Sequence, residues 1–380
     1  MKNTSQMIVV IIIFFSLNIP AINGSRINIQ IDFTEIGSID TNGETMNVFL
    51  QGDIAFVLDT TDNNPGGLVI IDVSDPTNPV KLASLFDGGS AMELVVKDDL
   101  AFVADGPDGL EIINVSDLAH PEEIYQYPVN TYSSDVEIKD DLLFVANWDY
   151  GLEIFNVTNP ESPVKLVRYN YNYLNCMQLD IKGDLACVTD HRNDYTSIRL
   201  LNISNPSSPQ QLSTHIVAET DFWDPKIYEN YIFVGNHYLN GGEIQILNIT
   251  DPTNIVKVGE FDDGGNMHSI SFNSSFAFIA DYNRGVIALD LSDPVIPDKI
   301  GRYFDGGHAK KIFVKDNLLF VADREDGLEI LQIETTTRTI PGFNYSLVFF
   351  SFIFIVILSL KKRTARPSRR SVGECINFQR

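Results

Sequence analysis

The chain has 380 residues, 44% of them hydrophobic, with 27 Lys/Arg against 51 Asp/Glu and a formal net charge of −24. Length and apolar content allow one large all-β domain or two ordinary ones, and the acidic balance excludes nucleic acid and anionic lipid as natural partners. Cys176, Cys187 and Cys375 make no disulfide framework, because no simple register across the Lys182-Gly183-Asp184 turn sets the first two opposite each other.

The chain opens with Lys2, the apolar run Met7 to Leu17 and the small residues up to Ser25. This pattern predicts a secretory signal peptide over 1–24, with a retained N-terminal anchor as the alternative.

A short string then recurs seven times. It reads Phe56-Val57-Leu58-Asp59, Phe102-Val103-Ala104-Asp105, Phe144-Val145-Ala146-Asn147, Cys187-Val188-Thr189-Asp190, Phe233-Val234-Gly235-Asn236, Phe278-Ile279-Ala280-Asp281 and Phe320-Val321-Ala322-Asp323. The terminal Asp/Asn residues step by 46, 42, 43, 46, 45 and 42. A repeat of this period, built of strands and turns, predicts an all-β fold: a seven-bladed β-propeller of four-stranded blades over 25–333.

One repeat shows all four strands: Glu93 to Lys97, a turn at Asp98-Asp99, Leu100 to Asp105, Leu110 to Val115, an Asx-containing turn, and Glu122 to Tyr127. The first three are apolar on both faces, as sheets packed blade against blade require. The seventh repeat stops at Ile333 with its fourth strand missing. Phe33 to Asp40 aligns with Pro297 to Asp305 around the shared steps Ile36-Gly37 and Ile300-Gly301, so the N-terminal strand is expected to complete the last blade and close the ring.

Beyond the propeller the expectations are a linker over 334–342, a transmembrane or sorting segment over 343–360, and a basic cytoplasmic tail over 361–380. The tail holds seven Lys/Arg and one Glu, and the other 360 residues hold 20 Lys/Arg and 50 Asp/Glu, a balance of −30. This places the propeller outside the cell, on a C-terminal membrane anchor.

Gly67-Leu68-Val69-Ile70-Ile71-Asp72-Val73-Ser74-Asp75-Pro76 resembles the LVIVD repeat of bacterial and archaeal cell-surface proteins, and returns at Gly109, Gly151, Ser197, Gly242, Gly285 and Gly327. The resemblance implies a β-propeller in an extracytoplasmic place and no catalytic residues. Ile340-Pro341-Gly342-Phe343 with the following apolar run and basic cluster resembles an archaeal PGF-type sorting signal, although Thr364 to Arg380 is longer than such signals carry.

No Walker loop, GxGxxG after a strand, HExxH, CxxC or GxSxG elbow occurs. The candidate site comes from register. Counting back from the Asp/Asn that ends each second strand, the twelfth residue is polar throughout: Asn47, Glu93, Asp135, Gln178, Asp224, Ser269 and Lys311. The thirteenth is Met46, Met92, Ser134, Met177, Trp223, His268 and Lys310. Both rings begin the innermost strand and are expected at one mouth of the central channel.

The ligand-binding candidates are thus Glu93, Asp135, Gln178, Trp223, Asp224, His268, Lys310 and Lys311. Glu93, Asp135 and Asp224 supply the oxygens that Ca²⁺ prefers; solvent exposure alone also predicts a polar rim. The Asp/Asn ring reads as a set of Asx caps on the following turn, and Trp148-Asp149 as a chance WD dipeptide. The glycine pairs Gly88-Gly89, Gly264-Gly265 and Gly306-Gly307 read as positive-φ turns at the mouth, followed on the same side by Asn266 and His308. Asn114, Asn156, Asn202 and Asn248 fit the N-glycosylation pattern. Together these features predict a binding module for a surface protein or a glycan. The competing classes are a lactonase-like metal-dependent hydrolase using Glu93, Asp135, Gln178 and Asp224, and a structural surface-layer component.

Overall fold

The computed structural model describes residues 26–340 apart from 62–63, 128–131, 171–173, 193–194, 219–221 and 237–241. The propeller unit is Ile29–Thr336; a second unit is made of the two ends, nearly all of it outside the described residues. The predicted signal peptide, membrane segment and basic tail fall there, and no helix among the described residues is long and apolar enough to cross a membrane.

Seven four-stranded antiparallel sheets form the ring. Blade two has strands Glu93–Lys97, Leu100–Asp105, Gly109–Asn114 and Glu122–Tyr127, within one residue of the strands read from the repeat. The two-residue turn between first and second strands recurs with its leading residue in the left-handed region: Gly52, Asp98, Asp140, Gly183, Glu229, Ser274 and Asp316 have φ between 51° and 59°. This conformation matches the twist of a hairpin and is tolerated by Gly, Asp and Asn better than by bulky residues.

The third and fourth strands slip register at one fixed place in six blades, for example at Ile70/Ile71, Ile112/Ile113 and Ala288/Leu289. The bulge bends the outer strand and strengthens the blade's twist.

The core is a set of interfaces, each drawn from two consecutive blades. Phe56, Leu68 and Ile70 of blade one meet Leu94 and Val103 of blade two. Phe102 and Ile112 meet Val136 and Val145 of blade three, and so on around to Phe320 and Ile330 against Val48, Val57 and Val69 of blade one. The repeated Phe is fully buried in six blades, and a buried Phe side chain contributes about 1.5–3 kcal/mol. In blade four Cys187 replaces it, and the buried Phe222 of blade five shares that cluster. Cys176 and Cys187 are both free and buried, with raised pKa values caused first by burial.

Closure follows the sequence alignment. Strand Arg26–Ile39 lies beside Gly327–Ile340 as the fourth strand of the last blade. The shared Ile-Gly step has a packing cause. A side chain on Gly37 would strike the Pro76 carbonyl of the next blade at 2.2 Å, and one on Gly301 the Ile31 carbonyl at 2.5 Å. Blade four has Ser213 at this position, and its hydroxyl donates to the Pro252 carbonyl at 2.6 Å. The last strand departs from expectation: it runs on to Ile340, through residues assigned to a linker from 334. Thr335, Thr336, Thr337 and Thr339 are β-branched residues that favour an extended chain.

Deleting residues 25–40 removes the closing strand and bares the edge of Gly327–Ile340. The expected result is aggregation or loss of the single cooperative melt by scanning calorimetry; an unchanged melt would show that the ring closes in another way.

Candidate functional site

The innermost strands separate the two polar rings. In five blades the first-to-second strand ladder skips one or two residues where the strand begins: between Thr45 and Asn47, Ser133 and Asp135, Cys176 and Leu179, Trp223 and Lys226, and Met267 and Ser269. Met46, Ser134, Met177 and His268 lie inside these bulges. A bulged residue is released from the ladder and re-aimed, which turns these four to the mouth; in blade five Asp224 lies in the bulge and Trp223 stays paired with Gly235.

The channel wall encloses about 310 Å³ and includes Glu93, Glu137, Lys226 and Lys311. The twelfth-position residues join neighbouring blades. Asp135 accepts the Leu179 amide at 2.8 Å, Gln178 Oε1 accepts the Asp224 amide at 2.7 Å, and Asp224 accepts the Ile270 amide at 2.7 Å. Asp180, one turn deeper, accepts the Ile227 amide at 2.7 Å. Two ammonium groups span wider distances. Lys311 Nζ lies 2.7 Å from Glu93 and 3.3 Å from Asp224. Lys226 Nζ lies 3.4 Å from Glu137, 3.7 Å from Asp180 and 3.8 Å from Asp224.

These partners set the charges. Burial raises Asp135 well above the carboxylate range, and Glu93 adds to it. Burial, partly offset by Lys226, pushes Glu137 up to about 7. Burial acts the same way on Asp224, yet Lys311 and Lys226 hold it below its usual value. A Ca²⁺ ion on Glu93, Asp135 and Asp224 would compete with Lys311 and with the two amides for oxygens already engaged, and would still need several more. The same bonds engage all four residues of the hydrolase reading, Lys311 holding Glu93 and Asp224.

The mouth is polarised. On one side a cavity of about 620 Å³ is lined by Met92, Tyr132, Trp148, Met177, Arg192 and Trp223. Tyr132 and Trp148 stack at 5.2 Å between centroids with 31° between planes, and the Tyr132 hydroxyl lies 3.5 Å from Met92 Sδ. Trp148 is 43% exposed. Arg192 is braced by Asp190 at 3.1 Å. On the other side Trp223, His268, Tyr282 and His308 follow one another at 5.8, 4.9 and 4.6 Å. Lys310 Nζ sits 4.8 Å from the Tyr282 ring centroid, and Arg324 donates to the Tyr282 hydroxyl at 2.6 Å.

Of the sequence candidates, Trp223, His268 and Lys310 are therefore at the mouth, Glu93, Asp135, Asp224 and Lys311 are in the channel network, and Gln178 touches both. Trp148, Tyr132, Arg192, Tyr282 and Arg324 were missed. Trp148, Tyr282 and Arg324 directly follow the Asp/Asn ring, where blade one has Thr60 and blade two Gly106. Variation at that position in an otherwise repeated text was the available signal.

The Asp/Asn ring is corrected in three blades, where its side chain reaches back to the entering loop. Asp190 accepts the Asn175 amide at 3.0 Å, Asp281 the Asn266 amide at 2.5 Å, and Asp323 the His308 amide. In these blades it therefore pins the loop that enters the innermost strand. This also explains the glycine pairs. Gly88, Gly264 and Gly306 do have φ of 114°, 80° and 117°. Their partners are glycine because a side chain on Gly89, Gly265 or Gly307 would run into the carboxylate of Asp105, Asp281 or Asp323.

The sequon asparagines have a local role. Asn114, Asn156, Asn202 and Asn248 each accept the amide two residues on at 2.8–2.9 Å. Asp72 and Asp290 make the same bond in blades one and six, so the turn requires the side-chain oxygen.

Comparison with known proteins supports the fold. The LVIVD repeat matches residues 42–85, 88–129, 131–171, 175–214, 221–263, 264–305 and 306–337. No curated protein matches the chain. Among solved structures, the U3-55K structure is 10% identical with a TM-score of 0.62, over 79% of this chain and 98% of that one. The RRP9 WD40 repeats are 9% identical at 0.60, over 80% and 100%. The computationally designed Ika8 protein is 8% identical at 0.56, over 78% and 99%. At such identities the likeness is one of fold.

Two predictions follow from the channel. Lys311→Met leaves Glu93 without its cation and Asp224 with Lys226 alone, and is expected to cost about 3–5 kcal/mol in urea unfolding, the range for a broken buried pair. Glu137 carries a folded pKa above its unfolded value of 4.5, so the folded state holds the extra proton between pH 4.5 and about 7. Its contribution is present below that window and is lost as pH rises through it. Glu137→Gln should therefore flatten the fall in melting temperature between pH 4.5 and 7.5, and parallel curves for variant and parent would refute the assignment.

Proposed function

Because the chain belongs to the LVIVD repeat family, we propose that it is a membrane-anchored, extracytoplasmic interaction module that holds a partner polypeptide at the mouth of its propeller. The observation that carries this reading is the composition of the 620 Å³ cavity: Tyr132, Trp148, Trp223, Met92, Met177 and Arg192. Aromatic residues, Met and Arg are the types enriched where proteins bind one another, and Lys and Glu are depleted there. The volume falls within the range of ligand pockets and is large enough for one bulky anchor side chain with its flanking backbone. Propellers serve widely as protein-interaction scaffolds, which agrees with this use of the mouth.

The extracytoplasmic placement is supported by the apolar run Met7 to Leu17 and by the C-terminal apolar run Leu347 to Leu360 followed by Lys361, Lys362 and Arg363. The acidic exterior disfavours nucleic acid and suits a neutral or basic partner surface. A glycan partner would use the same exposed Trp148 face, and a surface-layer role would use neither tryptophan.

The test is selection of a phage-displayed random peptide library on the purified full chain, in parallel with a glycan array. Peptides sharing an aromatic or long aliphatic anchor are expected. Trp148→Ala and Trp223→Ala should each weaken them by about 2 kcal/mol, roughly thirtyfold. Binding of glycans alone, or peptides indifferent to both substitutions, would overturn the reading.

A further inference from the structure

The fourth strands carry a charge pattern with two exceptions. The second residue of the shared strand core is Lys81, Glu123, Lys165, Gln211, Lys257, Lys299 and Glu35 in blades one to seven. Where it is lysine, it serves acids inside the blade. Burial raises the pKa of Asp59, and Lys81 partly offsets it. Lys165 reaches the buried Glu153 at 3.3 Å, Lys257 reaches Glu243 at 3.4 Å, and Lys299 reaches Asp263 at 2.9 Å. In blade four Arg199, from the third strand, pairs with Asp190 instead. Blades two and seven have a glutamate in place of the cation, and in blade two Gln126 donates to Glu111 at 3.4 Å.

Blades six and seven make the sharpest comparison. Where the chain enters blade six, Asp263 at the end of blade five's outer strand and Asp281 approach each other beside two cations, Lys299 on Asp263 Oδ2 and Arg284 on the Asp263 carbonyl. In blade seven the same two acids are Asp305 and Asp323. Lys299 is replaced by Glu35, Arg284 by Asp326, and the apolar Ile287 by Glu329. Both cations become acids and a third carboxyl is added.

The added carboxyl, Glu329, is 4% exposed; it shares a hydrogen bond with Asp305, and its Oε2 finds no partner outside this cluster. One oxygen from each of Asp305, Asp323 and Glu329 lies within 4.8 Å of the others. Two oxygens on opposite sides of a Ca²⁺ ion stand about 4.6–5.2 Å apart, twice its usual bond length.

We propose that the seventh blade binds a divalent oxygen-preferring cation, Ca²⁺, between Asp305, Asp323 and Glu329, with Glu35 of the closing strand adding its charge. The ion takes the electrostatic place that Lys299 and Arg284 fill in blade six. Its acids come from the entering loop, the second strand and the third strand, and Glu35 comes from the N-terminal strand, so the ion would clamp the blade where the ring is closed.

The experiment uses the full chain and CaCl₂. Calcium should raise the melting temperature by several degrees over chelator, increasing with concentration. Tb³⁺ should show luminescence sensitised by nearby Tyr303, reversed by Ca²⁺. Glu329→Gln should abolish both signals. Glu35→Lys, which restores the blade-six ammonium, should raise the melting temperature in chelator and remove the response to calcium. Glu93→Gln, in the channel, should leave the response intact. Absence of any response in the parent chain at millimolar CaCl₂, or a response that survives both Glu329→Gln and Glu35→Lys, would overturn the proposal.

Discussion

Each blade has apolar residues on both faces, and this constrains everything else. Phe102, Leu110 and Ile112 are covered only by the following blade, and Leu94, Val96 and Val103 only by the preceding one. No blade can bury both faces unless it has two neighbours. A linear stack would leave an apolar face at each end, and a ring of seven leaves none. The closing strand is therefore as much a part of the core as any interior Phe: it supplies the outer edge of the one blade that the chain does not complete in sequence.

Polar groups then divide by depth. Those in the channel are consumed in holding the ring. Asp135, Gln178, Asp180 and Asp224 each join one blade to the next through a backbone amide, and Lys226 and Lys311 reach across several blades. Buried charges of this kind specify an arrangement more reliably than they add net stability. At the mouth Arg324 still ties Tyr282 of blade six to Glu44 of blade one, but its neighbours have no such duty. The stacked Tyr132 and Trp148, the methionines beside them and the His268-Tyr282-His308 run are shaped by their own contacts and face outward, which is where a partner can be recognised.

The fold was legible because it is written seven times. Phe102 alone could be any buried strand residue, but six Phe at one position fix a period, and the Ile36-Gly37 match to Ile300-Gly301 located the closing strand. The site was less legible for the same reason. Glu93 and Asp224 vary between blades and so resembled ligands, but a sequence does not show that Lys311 reaches both from a distant blade. Trp148 fell outside the two rings because its position follows a repeated residue and depends on a loop whose path only the structure gives. The Asp/Asn ring looked like a turn device by its spacing; its actual bond goes fifteen residues back, to Asn175 from Asp190. The last strand passed Ile333 because extended threonines resemble a linker until a neighbouring strand is in place.

The bulge at the start of the innermost strands bears on how such a protein can change. Met46, Ser134, Met177 and His268 are excluded from the ladder, so backbone pairing proceeds around them whatever their side chains are. Recognition and folding thus draw on different residues only one position apart. Duplicated blades can diverge at the mouth while the ring they form stays the same, so one scaffold can acquire new partners by point substitution without passing through an unstable intermediate.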